Sequence, residues 1–153
     1  MVSACLLGVP CRYDGASKRC PGIEALLRRH TLIPVCPEQL GGLPTPRPPA
    51  ERRGEGVFTA DGADVTAEYR RGAAAALELA RLCGCEAAVL KERSPSCGRG
   101  VIHDGTFSGG LTAGDGVTSA LLEARGIPVY GESRIGELLR GTAAGNLGEM
   151  ADS

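Results

Sequence analysis

Short apolar runs alternate with longer amphipathic segments along most of the chain. Residues 1–7, 31–35, 87–90 and 127–130 are apolar runs that end near Gly, Pro or polar residues. Runs of this length with such endings predict β-strands. The sequence therefore predicts four strands, spread over the whole chain rather than grouped at one end.

The amphipathic segments between the runs predict helices. The clearest one covers residues 65–83, where apolar side chains recur every three or four residues and charged ones take the other side. Similar but shorter patterns predict helices over 23–30, 117–125 and 135–140. Strands and helices that alternate with short connections favour an α/β fold with a mostly parallel sheet flanked by helices.

The length of 153 residues is typical of one domain. We expect a single α/β domain over residues 1–140 and a flexible C-terminal tail over 141–153. Residues 41–63 are rich in Pro, Gly and Arg without periodicity, which predicts a long loop.

Composition and charge argue against several classes of partner. The formal net charge of −1 provides no general attraction to nucleic acid or to an anionic membrane. With three Tyr, two Phe and no Trp, the chain has few aromatic side chains for stacking bases, so nucleic acid is not an expected partner. The start of the chain has no signal-peptide pattern and no run could span a membrane, so we expect a cytoplasmic protein. Many Arg and few Lys suggest a bacterial origin.

Three of the seven cysteines lie where predicted strands end. In the cytoplasm thiols stay reduced, so metal binding, catalysis or packing explains cysteines better than disulfides do. Ligands of parallel α/β sheets bind beyond the carboxyl ends of the strands. Cys5 ends the first strand, Cys36 follows the second and Cys97 follows the third, so we expect them to converge at one edge of the sheet.

Several roles are open to three converging thiols. They could be small buried apolar residues, nucleophiles, zinc ligands or ligands of an iron–sulfur cluster. Structural zinc takes four ligands, and His103 is a candidate for the fourth. A 4Fe–4S cluster is normally held by four thiolates, so three would leave one iron open to a substrate.

The remaining cysteines receive separate interpretations. Cys83 and Cys85 follow the long helix and are interpreted as packing residues. Cys11 and Cys20 flank a polar segment and could be incidental loop residues, or nucleophiles that carry a persulfide. An exposed thiol near the basic residues of that segment would have a lowered pKa.

Several ordered motifs resemble the thiouracil desulfidase family. They are SACLLG at 3–8 with CRYDG at 11–15, GGLPTPR at 41–47, GDGVT at 114–118, and the two segments PVCPE at 34–38 and LKERSPSCG at 90–98. The resemblance covers about residues 2 to 140. It implies a Rossmann-like three-layer α/β domain and a 4Fe–4S cluster bound by Cys5, Cys36 and Cys97. It also implies a non-redox desulfuration, in which the open iron takes the sulfur of a thiolated pyrimidine such as 2-thiouracil and water replaces it.

The polar residues of these motifs suit that reaction. Glu38 is the first candidate for acid–base catalysis, and Ser94 could position water or bond the edge of the pyrimidine. Asp14, Tyr13 and Ser96 are candidates for substrate binding, with Asp14 as the reserve carboxylate. Glu38 could instead be a helix residue favoured by the helix dipole, and Ser94 a turn cap.

Two further motifs have weaker functional interpretations. The glycines at 114 and 116 precede a predicted helix, but they lack the pattern of a phosphate loop, so we expect a tight turn near the cluster. Arg47, Arg52 and Arg53 could contact an anionic substrate or belong to a solvated loop. The alternatives to a desulfidase acting on a small thiolated nucleobase or a related small molecule are a zinc-stabilised binding module and a persulfide carrier. The sequence gives no indication of an oligomeric state.

Overall fold

The structure is a computed structural model that describes residues 1–141. In chain order its elements are β1 (Val2–Ser3), a 3₁₀ helix (Ala4–Leu7), α1 (Ile23–Arg29), β2 (Pro34–Val35), α2 (Pro37–Leu40), β3 (Ala50–Arg53), β4 (Gly56–Thr59), α3 (Thr66–Leu82), β5 (Ala88–Leu90), β6 (Val101–His103), β7 (Leu111–Ala113), α4 (Val117–Ala124), β8 (Val129–Gly131), a second 3₁₀ helix (Glu132–Arg134) and α5 (135–141).

The four predicted strands form one parallel sheet. The order is β2-β1-β5-β8, and all three pairings are parallel. Val2 lies opposite both Pro34 and Val89, so β1 occupies the interior of the sheet. The predicted α/β class with a mostly parallel sheet of the Rossmann-like type is confirmed.

Both faces of the sheet are covered, which gives the domain three layers. Neighbouring residues of a strand point to opposite faces. On β5, Ala88 and Leu90 join a core that includes side chains from α3 and α4, whereas Val89 joins a second core that includes side chains from α1 and α5. A parallel sheet with helices on both faces needs such uniformly apolar strands.

A close helix contact places the segment after β2. A Cβ atom on Gly72 of α3 would lie 1.8 Å from the carbonyl oxygen of Pro37, and one on Gly41 would lie 2.0 Å from that of Glu68. The absence of side chains at both glycines lets α2 lie directly against α3. This contact fixes the backbone immediately after Cys36.

The structure differs from the sequence predictions in two hairpins and in the first strand. Strand β1 ends after Ser3, and residues 4–7 continue as a 3₁₀ helix. The predicted loop 41–63 contains the antiparallel hairpin β3–β4, whose inward positions include the polar residue Glu51. Buried polar positions hide the alternation that normally reveals a strand. The hairpin β6–β7 was not predicted, because its strands have three residues each and Val101 and Leu111 are exposed.

Of the predicted tail, only residue 141 is described, and it continues α5; the rest lies outside the described residues. Within residues 1–141, every helix is too short or too polar to cross a lipid bilayer.

Candidate active site

The three candidate cluster ligands line one open cavity at the carboxyl edge of the sheet. The cavity has a volume of about 440 Å³. Cys5 lies in the 3₁₀ helix after β1, Cys36 is the residue just before α2, and Cys97 lies in the turn after β5. Cys5 and Cys97 are buried, Cys36 is half-buried, and all three are free thiols. Because parallel strands end at the same edge, segments remote in sequence meet here.

The electrostatics of these thiols suit a metal-bound group. Burial, and next the charge of Cys36, raises the pKa of Cys5. Burial raises the pKa of Cys97 to about 12, while a hydrogen bond from the Ser3 hydroxyl opposes that shift. Uncompensated thiolates are therefore unfavourable in this cavity, and binding to iron would remove that penalty. Soft sulfur donors around an open cavity fit an iron–sulfur cluster.

A single metal ion is a poorer match for the same side chains. Within residues 1–141, no three His, Cys, Asp or Glu side chains are grouped closely enough to hold one ion. In a 4Fe–4S cluster each cysteine binds a different iron, so the sulfurs stand farther apart than the ligands of one ion. His103, the candidate fourth zinc ligand, lines the cavity with its buried Nδ1 atom unpartnered among the described residues.

Glu38 lies on the cavity wall with one carboxylate oxygen fixed. Its Oε1 atom accepts hydrogen bonds from the Tyr69 hydroxyl at 2.6 Å and from Arg47 Nε at 3.1 Å. The Oε2 atom has no hydrogen-bond partner within residues 1–141. Burial, and next the charge of Glu38, raises the pKa of Tyr69, so the phenol remains a donor. The carboxylate is thus oriented on one side and free on the other.

The guanidinium that holds Glu38 is itself buried and bonded on every nitrogen. Arg47 donates to Glu38, to the Pro44 carbonyl, to the Thr45 hydroxyl and to the Cys11 carbonyl. Arg47 is therefore not a solvated loop residue. It lines the cavity, and a contact with an anionic substrate there stays a prediction. The other two loop arginines are also engaged with backbone: Arg52 donates to the Asp115 carbonyl and Arg53 to the Gly105 carbonyl.

Ser94 lies on the cavity wall and also caps the turn that carries Cys97. Its Oγ atom accepts the backbone N–H of Ser96 at 3.1 Å and that of Cys97 at 3.0 Å. The predicted turn cap is therefore present. The hydroxyl hydrogen has no acceptor within the described part of the chain, so it remains available to a ligand in the cavity.

The three substrate-binding candidates have different positions. Tyr13 lines the cavity and is 40% exposed. Asp14 is exposed, accepts the Ala16 N–H and is absent from the cavity wall. Ser96 is fully buried beneath the turn and is bonded to the Thr118 hydroxyl at 2.8 Å. Asp14 and Ser96 do not line this cavity, because local turn bonding and packing hold these side chains away from it. Their direct contact with a substrate stays a prediction.

Of the two interpretations of Cys11 and Cys20, the one that makes them exposed, activated thiols is wrong. Both are buried, because the segment that carries them folds onto the core beside α1. Burial, and next the charge of Cys36, raises the pKa of Cys11 to about 12. Burial also raises the pKa of Cys20. Cys11 lines the cavity and its carbonyl oxygen accepts the Cys36 thiol at 3.7 Å, whereas Cys20 does not line it.

The turn at 114–116 packs against the backbone that carries Cys97. The Gly116 N–H donates to the Gly98 carbonyl at 2.8 Å. A Cβ atom on Gly116 would lie 2.4 Å from the Ser96 carbonyl. The predicted tight turn near the cysteines is therefore present, and Asp115 within it pairs with Arg99 rather than framing an anion site.

Sequence reasoning missed several residues of the cavity wall. They include Tyr69, Lys91, Glu51 and Phe107. Arg93 and Phe107 are the two non-glycine residues of the described chain with positive φ, at 67° and 57°, and both line this cavity. Strained backbone concentrates at functional sites. Tyr69 and Glu51 gave no signal, because each occupies an ordinary position of a helix or strand pattern.

Comparison with known proteins agrees with this geometry. A solved structure of a 4Fe–4S-dependent thiouracil desulfidase, TudS, superposes with a TM-score of 0.88 at 52% identity, covering 94% of this chain and 96% of that one. An uncharacterized protein of Bacillus subtilis (strain 168), YbbK, is 44% identical over 149 residues, which is 91% of this chain and 99% of YbbK. The family model for 2-thiouracil desulfurase matches residues 1–134. This chain therefore belongs to the 2-thiouracil desulfurase family.

Proposed function

We propose that this protein is an iron–sulfur-dependent desulfidase that converts thiolated pyrimidines of the 2-thiouracil type into their oxo products. The observation that carries the proposal is the meeting of three thiols with an oriented carboxylate in one open cavity. Membership of the 2-thiouracil desulfurase family and the likeness to a 4Fe–4S-dependent thiouracil desulfidase support the same reaction and the same cofactor.

The reaction is a hydrolysis without electron transfer. A C=S bond and water are converted into a C=O bond and hydrogen sulfide, so no oxidant or reductant is consumed. When bound by Cys5, Cys36 and Cys97, a 4Fe–4S cluster supplies a thiophilic iron that polarises the C=S bond. All three cysteines line the open cavity, so a substrate in the cavity could reach the group that they would hold.

Glu38 is the proposed acid–base group. Attack of water at the ring carbon needs a base that removes a proton, and the departing sulfur needs that proton in return. The free Oε2 atom suits this role, while Tyr69 and Arg47 hold Oε1 and fix the orientation of the carboxylate. Arg47 also places a positive charge beside the carboxylate, with its Nε atom 3.1 Å from Oε1.

Ser94 and Tyr13 are the proposed substrate contacts. The Ser94 hydroxyl hydrogen is not used by the turn, so it can be donated to the pyrimidine or to the attacking water. Tyr13, near the opening of the cavity, offers a flat ring and a hydroxyl to a planar substrate.

The test is anaerobic reconstitution with iron and sulfide, followed by a sulfide-release assay on a small panel of thiolated pyrimidines. We expect iron and acid-labile sulfide in about equal amounts, near four of each per chain, and sulfide release from 2-thiouracil with uracil as the product. Zinc at one per chain without iron would favour a structural metal module instead. A persulfide on Cys11 or Cys20 with activity that survives loss of Cys97 would favour a sulfur carrier.

The setting of the enzyme is proposed on the same basis. Residues 1–140 would work as one domain, since both cores share the central sheet. The protein would act in the bacterial cytoplasm, where reduced thiols are stable; all seven cysteines are free, and one relative is from Bacillus subtilis. Small thiolated nucleobases rather than nucleic acid would be its partners.

A further inference from the structure

Two antiparallel hairpins contribute a part of the cavity wall that the proposed chemistry does not use. Strand β3 supplies Ala50 and Glu51, and the connection between β6 and β7 supplies Phe107 and Gly109. The two hairpins contact each other through β3 and β6. Their position at the cavity raises the question of what they recognise there.

Glu51 is a buried carboxylate that binds backbone instead of a cation. Glu51 is 9% exposed. Its Oε1 atom accepts hydrogen bonds from the Gly105 N–H at 3.0 Å and from the Phe107 N–H at 3.1 Å. Within residues 1–141 it forms no salt bridge. Buried charges are normally paired or hydrogen-bonded, so these two amides are the groups that stabilise it.

Arg53, two residues later on the same strand, completes the attachment. Its Nε atom donates to the Gly105 carbonyl at 2.8 Å, so Gly105 is held at both its N–H and its carbonyl. Gly105 has φ +90°, and a Cβ atom there would lie 2.5 Å from Arg53 Cγ. The connection between β6 and β7 is therefore fastened to β3 at a point that only glycine fits.

Phe107 follows this fastening point with a backbone conformation that few aromatic residues adopt. Its φ is 57°, in the left-handed region. The aromatic residues of the cavity wall are Tyr13, Tyr69 and Phe107. The Tyr69 hydroxyl is committed to Glu38, and Tyr13 is 40% exposed. Phe107 is thus the purely apolar ring of the wall, and Glu51 bonds the amide of the strained residue itself.

We propose that Phe107 is the surface on which the planar ring of the substrate packs, and that Glu51 is the positioning residue that holds Phe107 in place. The inference rests on the proposed function and adds the specificity element to it. A planar heterocycle gains affinity by stacking on an aromatic ring whatever the position of its sulfur. The hairpins would thus favour substrates with a planar ring, while the three cysteines at the carboxyl edge of the sheet would favour substrates that contain sulfur.

The kinetic test compares two pairs of variants in the cluster-loaded enzyme. Phe107→Ala should raise the KM for 2-thiouracil about ten- to a hundredfold and leave kcat within a few-fold, since stacking on an aromatic side chain has about that effect on affinity. Phe107→Tyr keeps a planar aromatic ring, so its KM should lie near the wild-type value. Glu51→Ala should raise KM similarly, whereas Glu51→Gln keeps an oxygen that can accept both amides and should stay near wild type. Combining Phe107→Ala with Glu51→Ala should add little to either change.

Two further measurements, neither of which is an activity assay, test the same roles of Phe107 and Glu51. Isothermal titration of the loaded enzyme with uracil, the product, should show an affinity loss in Phe107→Ala that matches the rise in KM. Hydrogen exchange of cluster-free protein should show faster exchange over residues 104–108 in Glu51→Ala than in Glu51→Gln. If Phe107→Ala is unfolded, Phe107→Leu, which is apolar without a planar ring, is measured with the same expected rise in KM.

The failures of the two ideas can be told apart. Wild-type protein that binds its cluster but releases no sulfide from thiolated pyrimidines would end the proposed function. Active wild-type enzyme with an unchanged KM and unchanged uracil affinity in the Phe107 variants would end this inference alone. If kcat and iron content fall together in the Phe107 variants while KM is unchanged, the inference is also overturned, because Phe107 would then have a structural role only.

Discussion

The two edges of the parallel sheet both hold cysteines beside a cavity, but their surroundings differ. At the carboxyl edge the thiols come from three segments and share the wall with an oriented carboxylate and a serine hydroxyl. At the amino edge a cavity of about 390 Å³ is lined by Cys83, Cys85 and His30. There Cys83 is exposed, and Cys85 packs against the core.

The difference shows what makes thiols into a candidate site. Cys83 and Cys85 are close because they are neighbours in sequence, at the end of one helix. The thiols of the other edge are close because parallel strands deliver their following residues to one place. The same topology brings Glu38 and Ser94 there. A cysteine therefore joins the candidate site because of its position at the carboxyl edge of the sheet, not because it is a cysteine.

The largest expected effect separates the two sets of cysteines. Replacing Cys5, Cys36 or Cys97 by Ala should abolish sulfide release and remove most of the iron, since an iron without its thiolate is lost. Cys83→Ala and Cys85→Ala are the matched controls and should keep iron and activity. Metal analysis and sulfide release after anaerobic reconstitution measure both. Full iron content in all three cavity variants would disprove the assignment of ligands.

The second prediction compares carboxylates of the two edges. Glu38→Gln should lower kcat by about 10²–10⁴-fold, because an amide cannot accept the proton of water, whereas its oxygen can still bond Tyr69 and Arg47. Glu86→Gln, on the wall of the amino-edge cavity, should leave kcat unchanged. Steady-state kinetics at matched iron content decide the point. A kcat near the wild-type value in Glu38→Gln would remove Glu38 from the mechanism.

The third prediction concerns thiol reactivity in cluster-free protein and its dependence on pH. Burial raises the pKa of both Cys11 and Cys97 to about 12, so both remain protonated near neutral pH. The thiolate is the reactive form, so their alkylation by iodoacetamide should be slow and should rise about tenfold per pH unit up to pH 11. Exposed Cys83 should be labelled first. Peptide mass spectrometry follows each site, and early labelling of Cys97 at pH 7 would contradict the burial.

The smallest effect tests how the turn of Cys97 is supported. Gly116→Ala would force a Cβ atom against the Ser96 carbonyl, which should destabilise the protein by about 1–3 kcal/mol and reduce iron retention. Gly84→Ala, at φ +65° in open space, should cost about 1–2 kcal/mol but leave iron retention unchanged. Chemical denaturation and iron content are measured together. Equal iron retention in both variants would show that the turn tolerates the shift.

The sequence predicted the parallel sheet and its helices because their signals are local. Uniformly apolar strands and the period of α3 can be read from neighbouring residues. The hairpins β3–β4 and β6–β7 could not be read in this way, since Glu51 occupies an inward position and the strands of β6–β7 are short. The position of Phe107 on the cavity wall was not predicted either, because it lies in the connection between β6 and β7.

The sequence by itself determined the family motifs, the α/β class and the presence of thiols at strand ends. Only the tertiary structure decided which polar side chains join them. Ser94 and Ser96 are two residues apart, but the turn directs one to the cavity and buries the other against Thr118. Arg47 and Tyr69 orient Glu38 from separate segments. Pairings across long stretches of chain depend on packing in three dimensions, which no local pattern of residues records.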